Sequence, residues 1–175
     1  HIMAILVDLL EDGVMTDFLE IREAYTKYKA AQDAYWSDLQ KKAWAIYIGF
    51  ERHLRLDQHK VTVPGEDAQP YVQVGSMDGD RFVRALAPQF SGADGKVEFT
   101  ISLLVDEHPT SYPKKRILIQ ASIGKESGRY MVEIKGRSGP ITVSIGPDFP
   151  SDQLGDLYEM IARDVIASMD PSAFA

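Results

Sequence analysis

The residues best placed to do chemistry are Glu133 and Lys135, two apart in Val132-Glu133-Ile134-Lys135. On a β-strand that spacing puts both side chains on one face. A carboxylate there can hold a divalent cation, and a neighbouring ammonium can orient or polarise an attacking water. Such a site needs a second carboxylate. Asp106 is the candidate, at the end of the most regular strand pattern in the chain. The plainer alternative is that Glu and Lys at alternate positions are what any solvent-facing strand carries, where they can pair across strands.

A strand bearing Glu-x-Lys with an Asp on a neighbouring strand resembles the arrangement in type II restriction nucleases and their relatives. The resemblance rests on one tripeptide. It implies a metal-dependent hydrolase, most concretely a nuclease, with Asp106, Glu133 and Lys135 as its catalytic residues. Two features weigh against it. The helix that usually follows that strand is replaced by another strand pattern, and the chain carries a formal net charge of −7. A phosphate backbone is ordinarily met by a basic face, and the one dense basic run is Lys114, Lys115 and Arg116. Nucleic acid is therefore disfavoured as a partner.

Other constellations are weaker. Asp106-Glu107-His108 offers three potential ligands, but consecutive residues rarely converge on one ion, and a charged hairpin loop explains them. His53 and His59 stand six apart, which does not place them on one helix face. With no cysteine, there is no disulfide, thiolate metal site or cysteine nucleophile. No Gly-x-Ser-x-Gly and no glycine-rich phosphate loop occurs. No cofactor and no metal is expected.

The elements that would position these residues are legible from periodicity. A short apolar segment, Ala4–Asp12, ends at Gly13. Thr16 then reads as the N-cap of a long helical segment reaching about Leu56. Its apolar residues fall at Phe18, Ile21, Tyr25, Tyr28, Tyr35, Leu39 and Ile46, spaced by threes, fours or their sums, with Gln32 and Lys42 as polar interruptions. A second stripe of Ala43, Trp44, Tyr47, Phe50 and Leu54 widens the apolar face later. A straight helix of that length would span about 60 Å. Either it breaks near Ser37 into a hairpin, or its first half packs on something, the candidate being a second copy of the chain.

Asp57–Gln69 is loop by composition, and beyond Pro70 the pattern alternates. Lys96–Val105, Ile117–Ile123, Tyr130–Lys135 and Ile141–Ile145 each place apolar residues on one side and mainly hydroxyl, amide or charged residues on the other, where Leu118 and Met131 also fall. Asp78-Gly79 and Asp94-Gly95 are hairpin turns. Short connections make antiparallel neighbours. The closing segment, with Ser151 as N-cap and Leu154, Leu157, Tyr158, Ile161, Val165 and Met169 as its stripe, is an amphipathic helix ended by Pro171.

The expected fold is α+β: a two-layer sandwich with an antiparallel meander of four to six strands, the helices covering its aliphatic face and the polar face left wet. Residues 1–60 form the helical segment, and 61–175 form the sheet and closing helix of the same domain. The expected function is a non-enzymatic protein-interaction module of inhibitor, immunity-type, chaperone or adaptor kind. It would bind a protein partner through Tyr25, Tyr28 and Tyr35 on the helix or through Thr100, Arg116 and Gln120 on the polar sheet face, with a homodimer through the helix as one form. No signal peptide or membrane span is read, and the expected location is cytoplasmic.

Overall fold

The computed structural model describes residues 17–175. The segment Ala4–Asp12 and the cap expected at Thr16 lie outside the described residues. The chain divides into two compact units, His1–Ser37 and Asp38–Ala175.

Helix α1 runs from Phe18 to His53 without a break at Ser37, about 54 Å at 1.5 Å per residue. Its cap is Asp17, whose Oδ1 accepts from the Glu20 N–H at 2.9 Å. The helix stops at His53 because Arg55 turns left-handed, at φ 61°, and the Leu56 N–H closes on the Glu51 carbonyl at 3.0 Å. The part of α1 in the first unit is exposed through residue 34. In the second unit Leu39, Ala43, Ile46 and Phe50 are completely buried.

The second unit is built on a seven-stranded sheet, larger than the four to six strands expected. Strands β3 (Val72–Asp78), β4 (Arg81–Arg84), β6 (Lys96–Val105), β7 (Lys115–Glu126), β8 (Arg129–Gly136) and β9 (Gly139–Ile145) lie in the order β4-β3-β6-β7-β8-β9, and the two-residue β5 (Gly92–Ala93) pairs with β6. Every pairing is antiparallel. Within the expected loop, β1 (Lys60–Val61) and β2 (Gln69–Pro70) form a ladder of their own.

The order departs from a simple meander at one point: β6 pairs with β3 and not with β4. The side chains explain it. Val72 and Val74 of β3 are buried and suit an interior strand. In β4, Arg81, Val83 and Arg84 are exposed and suit an edge, where charged residues discourage further pairing. The stretch from residue 85 to 95, with a short 3-10 turn at Ala87–Gln89, carries the chain back to the free side of β3. Asp94 and Gly95, at φ 54° and 75°, close the β5–β6 hairpin as its composition predicts.

The aliphatic face is sealed. Val97, Phe99, Ile101, Ile119, Ile123, Val132, Ile134 and Ile145 are all buried. They face the second half of α1 and helix α2 (Ser151–Ala167), which buries Leu157, Tyr158, Ile161 and Val165. Each such side chain contributes about 1.5–3 kcal/mol. Pro150, not Ser151, occupies the N-cap position of α2, with no side-chain cap bond.

Two contacts fasten the helices. On α1, Asp38 accepts a 2.6 Å hydrogen bond from the Tyr130 hydroxyl and lies 3.6 Å from Lys42 and 3.9 Å from Lys125. Burial, and then the Asp38 carboxylate, push Tyr130 up to about 12. An ordinary unfolded tyrosine titrates near ~10, so the neutral phenol stabilises the fold up to that pH. The contribution is lost as pH rises towards 12. Denaturation series between those pH values should show Tyr130→Phe losing stability less steeply than the parent, and equal slopes would contradict the assignment.

The second contact is between the helices themselves. A Cβ at Gly49 would lie 2.0 Å from the Tyr158 hydroxyl oxygen, and Tyr158 is buried against Phe50. On propensity alone, Gly49→Ala should stabilise α1 by about 1 kcal/mol. The clash reverses that sign, and urea denaturation should show a net loss of about 1–2 kcal/mol.

Candidate functional site

Two surfaces carry most of the residues singled out above, Asp106 and Arg116 excepted. One is a polar basin of about 160 Å³ on the open face of the sheet. Register builds it: Glu98 of β6 pairs with Ser122 of β7, which pairs with Glu133 of β8, and Thr100 pairs with Gln120. Lys135 follows Glu133 on the same face. Glu98, Thr100, Gln120, Ser122, Glu133 and Lys135 line the basin, with Ser76, Met77 and Ser91 completing its wall. Among the described residues, no ion pair engages Glu98, Glu133 or Lys135.

Thr100 and Gln120 thus share one site. Arg116 does not join them. It donates from Nη1 to the Ser102 hydroxyl at 2.5 Å and stacks over the Phe82 ring at 5.5 Å. The face expected to stay wet is in fact covered over part of its area: Ser102 is 0%, Gln73 3% and Thr100 3% exposed. Arg116 lies over the first, and Gln73 donates to Gln69 at 2.9 Å. Strand alternation says which side a residue takes, but not whether that side is shielded.

Asp106 is not part of the basin. Glu98 and Val105 stand at opposite ends of β6, more than about 20 Å apart at strand rise, and Asp106 follows Val105. Its Oδ2 accepts from the Tyr71 hydroxyl and from Lys114 Nζ, each at 2.8 Å. Lys114 also donates to the carbonyls of His108 and Pro109 at 3.3 and 2.7 Å, and its side chain is 4% exposed. The run Lys114-Lys115-Arg116 is therefore no continuous basic patch: one lysine is spent inside the β6–β7 connection and the arginine on Ser102.

The carboxylate nearest Glu133 in register is Glu98, which periodicity alone did not nominate. The two stand two strands apart, about 9–10 Å between backbones. The available signal was that Glu98, Thr100 and Ser102 share a face. Only the pairing of β6 with β7 and of β7 with β8 brings Glu98 into the basin. Among the described residues, no group of three His, Asp or Glu side chains is arranged to hold a metal ion. His108 Nδ1 contacts the Thr110 hydroxyl, and His53 Nε2 contacts Glu159 at 2.7 Å.

The other surface is the first half of α1. Phe18, Ile21, Tyr25 and Tyr28 are 64%, 56%, 60% and 64% exposed, and Leu19 is 60% exposed. Tyr35 is half-buried, edge-on to Trp36 with ring centroids 5.3 Å apart. No helix among the described residues is long and apolar enough to cross a membrane.

With this geometry in hand, comparisons with protein-family models, curated proteins and solved structures returned no match.

The hydrogen bond from Lys114, and then the one from Tyr71, hold the Asp106 carboxyl below its ordinary range despite burial. A depressed acid contributes stability above its unfolded value, near ~4, and loses it as pH falls through the folded value. Stability should therefore fall more steeply below about pH 4 in the parent than in Asp106→Asn. Breaking the pair from the other side, with Lys114→Met, should cost about 2–3 kcal/mol at neutral pH, read from denaturant midpoints.

Proposed function

We propose that the chain is a protein-interaction module and that the exposed first half of α1 is its association surface. One observation carries this reading. Five large apolar side chains, Phe18, Leu19, Ile21, Tyr25 and Tyr28, are more than half exposed on one helix, whereas the same helix further on buries Leu39, Ala43, Ile46 and Phe50 completely. Single exposed apolar residues are ordinary, but a run of them along one helix is the pattern of a surface that meets another protein. Tyrosine suits that role, because its ring buries area while its hydroxyl stays at the rim. A homodimer or a complex with a different protein would cover such a seam.

The polar basin is a second candidate face for a protein partner, with Thr100 and Gln120 inside it. The hydrolase alternative has less behind it. Glu133 and Lys135 do share a concavity, but among the described residues the only other carboxylate lining it is Glu98, two strands away, and Asp106 is bound to Lys114.

The test pairs Ile21→Glu with Tyr25→Glu. Both side chains are exposed, so the melting temperature should hold within about 2 °C. Light scattering and capture from extracts of the source cells should show that the parent either self-associates or retains a protein, and that the double variant does neither. A parent that stays single and retains nothing would overturn the proposal.

A further inference from the structure

We infer that the occupant of the α1 seam is a second copy of the chain, lying parallel to the first in a two-stranded coiled coil. The inference rests on the interaction reading above and adds the identity and direction of the partner.

Phe18, Ile21, Tyr25, Tyr28, Gln32 and Tyr35 follow one another at spacings of three, four, three, four and three. That is the a/d seam of a coiled coil, with Phe18, Tyr25 and Gln32 at a and Ile21, Tyr28 and Tyr35 at d. The helix is continuous across the whole seam. The frame ends there because the next a residue, Leu39, is completely buried in the second unit.

The flanking positions choose the direction. Positions e hold Arg22, Lys29 and Trp36, and positions g hold Ala24 and Ala31, with the N-cap Asp17 one heptad before Ala24. In an antiparallel pair e faces e. The register that overlays the most seam residues sets Tyr25 against Tyr28, which brings Arg22 of each copy beside Lys29 of the other, a like-charge contact made twice. In a parallel pair g faces e of the following heptad. Asp17 of each copy then meets Arg22 of the other, and Lys29 meets only Ala24.

Gln32 points the same way. Antiparallel pairing would bury its amide against Ile21 of the other copy, with no hydrogen-bonding partner. Parallel pairing stacks Gln32 on its own equivalent, where one amide N–H can donate to the other amide carbonyl. A polar a layer of that kind fixes register and strand number at some cost in stability.

The chain has no cysteine, so a single Gln32→Cys is a clean probe. Facing a residues of a parallel pair lie within disulfide reach. The native chain should scatter light as a particle of about twice its 19.6 kDa mass. In a glutathione buffer Gln32→Cys should form a covalent dimer by itself, and mixing it with Ile21→Cys should give no preference for the mixed product. Arg22→Glu supplies an independent sign. It should weaken a parallel dimer by roughly three- to tenfold, since Asp17 then meets a like charge; in an antiparallel pair it would meet Lys29 and tighten the dimer. Preferred mixed cross-links, or tightening by Arg22→Glu, would overturn the direction while leaving the dimer. A native chain that stays single at high concentration would overturn the second copy as occupant. If that single chain captured another protein through Tyr25, the interaction reading would survive; if it captured nothing, both would fall.

Discussion

Everything in the second unit depends on sealing one face of an antiparallel sheet. Val97, Phe99, Ile101 and Ile123 cannot remain in water, and no strand in the sheet can cover them. Helices drawn from both ends of the unit do so: Leu39, Ala43, Ile46 and Phe50 from α1, and Leu157, Ile161 and Val165 from α2. The close passage of Tyr158 over Gly49 shows how tightly the two helices meet. The hydrogen bond from Tyr130 to Asp38 marks where α1 enters the layer.

That sealing also decides what the other surfaces can do. With the aliphatic side closed, the opposite face is free to bend into a basin and gather Glu98, Thr100, Gln120, Glu133 and Lys135. With α1 committed from Leu39 onward, its earlier aromatic stripe carries no load in the core. Its large apolar side chains from Phe18 to Tyr28 stay more than half exposed.

The buried ion pair between Asp106 and Lys114 is a different kind of device. It sits in the β6–β7 connection with Tyr71 as a further donor, and the lysine also satisfies two loop carbonyls. Residues that read as catalytic acid and basic patch are here the internal fastening of a loop. A charged side chain in a sequence carries no record of whether water or another side chain neutralises it.

The alternation of Val97, Phe99, Ile101 and Leu103, the Asp-Gly turns and the three-and-four spacing in α1 determined the α+β class, most strand positions and the amphipathic closing helix. These are local signals: each element's period is set by its own backbone geometry. Three things were decided only by tertiary structure. Strand β3 lies between β4 and β6, since a strand's neighbour depends on which edge offers burial. Glu98 rather than Asp106 accompanies Glu133, since register across three strands depends on pairing between them. And α1 divides at residue 38 into exposed and buried halves, since the same helical period is compatible with either until the sheet arrives to cover one of them.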